Sequence, residues 1–190
     1  MFNKISTWWH REGRYMHRNF VKGVKNLWRW FPVIWKDRDW DQYYIYEILA
    51  KKIQLQAKSI GDNDRHTAAK RDAERMQLVV KLIRLQQEDF YNSEYIDYHK
   101  TNWKIVPTDE TEKWFTLEDE LISERFDEYF AKYPRQYKRA LSGELNPFKR
   151  EKIDTENKHV MAMEIANENQ RRCKVLLFKL MEENIDGWWD

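Results

Sequence analysis

The side chains best suited to chemistry in this sequence are cations set near aromatic rings. Arg65, His66, Lys70 and Arg71 fall within "GDNDRHTAAKRDAER", on the first turns of a helix whose periodicity begins at Ala69. Free backbone N–H groups converge at a helix start, and basic side chains beside them suit a phosphate. No glycine-rich P-loop or dinucleotide fingerprint accompanies them, so no nucleotide fold is implied. Lys70 with Glu74, and Arg71 and Arg75 with Asp72, read equally well as surface ion pairs. A second basic pair, Arg171 and Arg172, lies in "NENQRRC" and interrupts an otherwise apolar helix. Asn169 falls there on the inner stripe, between Ala166 and Cys173. A buried amide needs partners. The stretch is therefore either a polar contact with another helix or subunit, or the polar wall of a pocket.

Rings come mainly from "LWRWFPVIWKDRDWDQYYIYEIL", Leu27 to Leu49. Six of the ten tryptophans lie in the first 40 residues. They could form a core corner, a stacking surface for bases beside arginine, or an anchor at a membrane interface. Trp28 and Trp30 stand about 200° apart on a helix, so at least one is exposed or covered by another chain. For stacking, Trp35 and Trp40 are the candidates.

Metal and catalytic constellations are poor. Three carboxylates crowd "DRDWD", but the glycine and terminal glutamate of a calcium loop are missing. Capping of a helix start explains Asp39 and Asp41 without a metal. Glu156 and His159 make one Glu-x-x-His, where a di-iron bundle needs two plus two further glutamates. The five histidines are scattered, and Cys173, the one cysteine, has valine and leucine neighbours that suit an inert core thiol. No metal or cofactor is expected, and an enzyme is not the default reading.

These residues must be held by helices. Gly and Pro number only five and four in 190 residues, and the charged fraction is 35%, a profile that favours helices over a sandwich or barrel. From Phe2 to Phe31 the spacing predicts an amphipathic helix. Met16, Phe20, Val24, Leu27 and Phe31 form one stripe, and Arg11, Arg14, Arg18, Lys22, Lys25 and Arg29 form the opposite one. Residues 1–31 hold seven Lys and Arg against a single acid, Glu12. That stripe calls for an anionic partner or for an acidic patch on the chain's own body.

Pro32 should stop or kink this helix. A second helix follows from about Asp39 to Gly61, and a third from Ala69 to Phe90, as an antiparallel hairpin. Trp103–Val106 and Lys113–Thr116 could pair as a small β-hairpin. Thr116 and Asp119 resemble a capping box opening a helix to about Lys132. Pro134 starts a short helix that stops at Gly143, and the last helix runs from about Thr155 to Ile185. Trp188 and Trp189 predict a docked C-terminus. No apolar run approaches the roughly 18 residues a span requires, so a soluble chain in a reducing cytosol is expected.

The strings "LWRWFPVIWKDRDWDQYYIYEIL", "GDNDRHTAAKRDAERM", "YFAKYPRQYK" and "GWWD" together resemble an uncharacterised family of small proteins encoded by tailed bacteriophages. The resemblance runs along most of the chain. It implies a viral origin and supplies no activity and no functional residue.

The expectation is an all-α fold, a helical hairpin or bundle with a basic amphipathic N-terminal helix and a small β-hairpin in the middle. A basic aromatic arm at 1–36 precedes a helical domain at 37–190. The expected function is non-enzymatic: sequestering a phosphate-bearing nucleotide signal of host immunity. Trp35, Trp40, Arg65, His66, Lys70, Arg71, Arg171 and Arg172 would form the ligand site. The alternatives are a virion or scaffold component docking an acidic surface, and a nucleic-acid-binding accessory protein. A homo-oligomer is expected and a membrane partner is not. The place is the cytoplasm of an infected host, or the virion.

Overall fold

The computed structural model describes residues 7, 9, 13–38, 40–63, 67–108, 113–145 and 157–188. The chain is mostly helical and divides into two compact units, 1–51 and 52–190.

The first unit holds a 3-10 turn, Gly13–Tyr15, then helix α1, Met16–Ile34, and the start of helix α2, Gln42–Asn63. A Cβ on Gly13 would come within 2.6 Å of the Trp9 ring, so glycine lets that ring lie close to the backbone. The helical spacing before Met16 falls largely outside the described residues. Pro32 does not stop α1, which continues to Ile34 with Pro32 inside it. Proline removes one backbone donor, and three further residues are carried past it in helical geometry. Asp41 opens α2 through its side chain, which accepts from Tyr43 N at 2.8 Å. Asp39, expected to share that role, lies outside the described residues.

The second unit contains the rest of α2. Gly61 does not end that helix, which runs on to Asn63. Instead Gly61 sits against Ala73, whose methyl lies 3.3 Å from where a glycine Cβ would be. Helix α3, Ala69–Gln87, buries Ala69, Ala73, Met76, Val79, Leu82 and Ile83. Val79 is buried, and its neighbour Val80 is only half-buried. Asp89, at φ 46°, turns the chain into helix α4, Phe90–Ile96. Aspartate tolerates this left-handed conformation better than most residues.

Strand β1, His99–Pro107, pairs antiparallel with strand β2, Phe115–Glu124, in a two-stranded ribbon. A hairpin is present as expected, but its second strand runs from Phe115 to Glu124 instead of spanning Lys113–Thr116, and Trp103–Val106 pair with residues 116–119. The helix expected to open at Thr116 is absent up to Glu124. Phe115, Leu117 and Leu121 alternate with Thr116, Glu118 and Glu120, and this period of two prevails over the capping-box resemblance. Helices α5, Phe126–Lys132, and α6, Pro134–Leu141, follow. Gly143, at φ +74°, stops the chain after α6.

Helix α7, Lys158–Asn184, is the hub of this unit and packs against α3, α4, α5 and α6. Asn157 caps it, accepting from His159 N and Val160 N at 3.1 and 3.2 Å. Its inner face buries Ala162, Ile165, Ala166, Asn169, Cys173 and Leu177, whereas Leu176, also expected inside, is exposed and Leu180 is half-buried. Phe126, Tyr129, Phe130, Ala140 and Leu145 close over its first half. Trp188 is buried, and Gln56 donates to its carbonyl, so the C-terminal segment is docked there; Trp189 lies outside the described residues.

Candidate functional site

Helix α7 places Asn169, Arg172, Cys173, Leu176 and Lys179 on one face, by steps of three and four and one adjacent pair. Leu82 of α3, Tyr91 of α4, and Tyr133 and Gln136 at the α5–α6 junction stand opposite. Between them lies an open cleft of about 440 Å³. That volume is in the range of small-molecule sites.

Three cations line it: Arg171, Arg172 and Lys179. Arg171 is held by a fork to Glu168, with Nε at 2.8 Å from one carboxylate oxygen and Nη2 at 3.0 Å from the other. Arg139 reaches the same carboxylate at 3.2 Å. Burial pushes the Glu168 pKa up, but the hydrogen bonds and charges of Arg171 and then Arg139 together outweigh it and hold it low. One carboxylate thus serves two guanidiniums, and the trio keeps a net positive charge. Arg172 makes no ion pair among the described residues. Lys179 lies 3.7 Å from Glu183, an exposed pair of little strength. Among the described residues no acid belongs to the cleft lining.

Tyr91 and Tyr133 set two rings edge to face, 6.4 Å apart. The Tyr133 hydroxyl donates to Glu94 at 2.5 Å, and Lys132 also bonds Glu94, which fixes the ring's position. Burial, above all, raises the pKa of both phenols, so they stay neutral donors and acceptors.

Asn169 is more than nine-tenths buried at the cleft wall, and its Nδ2 has no partner among the described residues. The Tyr129 hydroxyl beneath it is unpaired as well. The Asn169 amide acts to lower the Tyr129 pKa, which burial raises. The two groups are therefore neighbours, yet neither meets hydrogen-bonding geometry with the other. Cys173 is buried, its thiol pKa is raised by burial, and Sγ lies 3.8 Å from the Leu82 carbonyl. A protonated thiol is a poor nucleophile.

Of the residues expected to share one site, the two basic pairs described within the 52–190 unit lie apart. Arg171 and Arg172 stand at the cleft. Arg71 is bound to Asp72 at 3.3 Å, and Lys70 is exposed beside it. Helices α3 and α7 run antiparallel: Arg75 bonds Asn184 at 2.7 Å, while Gln86 bonds the Gln170 carbonyl at 3.0 Å. Arg71 therefore lies eleven residues, or roughly 16 Å, along α3 from the Leu82 level where the cleft opens. Packing direction separates the two basic pairs. Arg65 and His66 lie outside the described residues. Trp35 and Trp40 belong to the 1–51 unit and are strongly exposed. The Trp35 ring rests on Phe31 at 5.2 Å. A buried core corner is thus not how Trp28, Trp35 and Trp40 are used.

Sequence reasoning missed Tyr91, Tyr133, Gln136 and Lys179. Lys179 could have been found by extending the Asn169–Arg172–Leu176 spacing one step. Tyr91, Tyr133 and Gln136 come from distant segments and carry no local signal. Among the described residues no group of three His, Cys, Asp or Glu could hold a metal ion. No described helix is long and apolar enough to cross a membrane. Comparison with protein-family models, curated proteins and solved structures finds no match to this chain.

Proposed function

We propose that this chain is a phage-encoded, non-enzymatic binding protein whose cleft sequesters a small phosphate-bearing nucleotide, a signal of host immunity, in the cytoplasm of the infected cell. One observation carries the reading: Arg172, free of any acid among the described residues, shares a cleft of about 440 Å³ with Arg171, Lys179 and two tyrosine rings. Guanidiniums suit phosphate oxygens, and the rings suit a base. The helical hairpin and bundle expected from the sequence is the frame proposed to carry this cleft.

Calorimetry with cyclic dinucleotides, ADP-ribose derivatives and inorganic phosphate tests it. A nucleotide should bind at micromolar affinity. Arg172→Ala should weaken it by about 10- to 100-fold, the worth of a hydrogen bond to a charged group. The variant's melting temperature should stay unchanged, because the side chain is exposed. No binding tighter than millimolar across the panel defeats the proposal.

A second reading, a self-assembling structural component of the virion or a scaffold, is supported by the β1–β2 ribbon. Trp103, Ile105, Phe115, Leu117 and Leu121 share one face and are all exposed. A lone two-stranded ribbon with an uncovered apolar face asks for another surface. Ile105 and Leu117 are paired directly, so Ile105→Lys with Leu117→Lys should abolish any oligomer seen by light scattering. A monomeric parent chain removes this reading.

A further inference from the structure

Helix α1 presents two uncovered faces of opposite character. At about 100° per residue, Met16, Phe20, Val24, Leu27, Phe31 and Ile34 fall within an arc roughly 80° wide. Trp28 and Trp35 extend one flank of that arc. All eight are exposed, Phe20 and Leu27 by 70% and 69% and Trp28 by 76%. Leu27, Trp28, Phe31 and Ile34 line an apolar groove of about 380 Å³. On the other side, Arg18, Lys22, Lys25 and Arg29 cluster about 140–200° from Phe20, and all four are exposed. Val33 is the only buried residue of the helix, and the helix contains no Asp or Glu.

We infer that α1 docks in the plane of an anionic lipid surface. The combination of faces selects this occupant. A nucleic acid would match the cations and leave six large apolar side chains in water. A second copy would cover the apolar stripe but bring two wholly cationic helices together with no acid to offset them. An anionic bilayer satisfies both faces of one helix at once. The aliphatic and phenyl groups sink to the acyl boundary, and the indoles sit at the headgroup level. The helix is about 10 Å across, so the long cationic side chains remain within about one screening length of the lipid phosphates. Their stems can also bend toward the interface. The helix is not apolar enough to span, so it lies flat. This runs against the expectation from sequence that no membrane takes part. None of these residues lines the cleft.

Flotation of the full chain with phosphatidylcholine vesicles, with and without phosphatidylglycerol, is the test. The chain should float with the mixed vesicles and stay behind with phosphatidylcholine alone. Lys22→Gln and Arg29→Gln should each weaken partitioning about fivefold. Leu27→Glu with Phe31→Glu should abolish it while leaving helix content by circular dichroism unchanged, since both side chains are exposed. Arg172→Ala should float like the parent, which separates this inference from the nucleotide proposal. Failure to float with anionic vesicles overturns it. So does equal binding to neutral vesicles. A dimer that Leu27→Glu with Phe31→Glu dissociates, in a chain that never floats, would assign the face to a second copy instead.

Discussion

Replacing Glu168 by glutamine removes one charge and keeps the side chain's shape. The native carboxylate is 3% exposed and accepts two bonds from Arg171, at 2.8 and 3.0 Å, and one from Arg139 at 3.2 Å. Breaking a fully buried pair costs about 3–5 kcal/mol, because the surviving charge is stranded. Here the survivors are Arg139 and Arg171, whose side chains keep 34% and 44% of their exposure. Both guanidiniums can recover water, and the glutamine oxygen still accepts a bond. The loss therefore falls to roughly 1–2 kcal/mol. For a chain of this size that is a drop of about 2–8 °C in melting temperature. The sign of the pH dependence follows from the folded pKa, which the two arginines hold below the ordinary carboxylate value despite burial. A depressed carboxylate stabilises fully above its unfolded pKa, about 4.3 for glutamate, and loses that contribution as pH falls through the folded value. Thermal melts of the parent and Glu168→Gln should thus differ by a constant amount from about pH 6 to pH 8 and converge below about pH 4. Equal stability at neutral pH, or a gap that widens on acidification, would refute the assignment of Glu168 as the anchor of both arginines.

Two further outcomes check the packing around the cleft. Leu177→Ala should cost about 2–5 kcal/mol in urea unfolding, because Leu177 is fully buried in the inner face of α7; a loss under about 1 kcal/mol would mean the site collapses freely. Iodoacetamide should label Cys173 far more slowly in the native chain than in urea, since its thiol is buried and its pKa raised. Equal labelling rates would place the thiol at the surface.

Helices α3 and α7 were legible because each repeats apolar residues at steps of three and four over many turns, and only a long buried face sustains that. Pro134 and Gly143 bounded α6 for local reasons: a preset φ at the start and a left-handed residue after the end. Strand β2 was misread because Thr116 and Asp119 sit at a helix-capping interval. The signal that mattered was the alternation across the ribbon, and pairing with β1 settles it. In the cleft, Arg171 and Arg172 stood out because they break the apolar run of α7. Tyr91 and Tyr133 could not stand out, because their nearness to α7 depends on the turn at Asp89 and on the Glu94 contacts that join α4 to α5. The pairing of Lys70 and Arg71 with Arg171 and Arg172 failed for a similar reason. Composition puts cations on both helices, but only the antiparallel sense of packing says that they lie far apart.

The inner face of α7 is a costly place for polar groups, and it carries Glu164, Glu168 and Asn169 there. Glu168 is answered by two arginines. Asn169 Nδ2 and the Tyr129 hydroxyl are not answered by any described group, and an unsatisfied buried polar atom costs about 1–3 kcal/mol. Leucine and phenylalanine have nearly the same shapes and would remove that cost without reshaping the core. Stability alone therefore gives no reason for an amide at this position. The position itself supplies one. Asn169 is where the buried face of α7 meets the cleft, one turn from Arg172, in a lining that also includes Tyr133. Under the proposed function, an amide donor there would weaken the free chain and gain its partner from a ligand oxygen. Packing and the proposed recognition make opposite demands on residue 169, and asparagine suits the second.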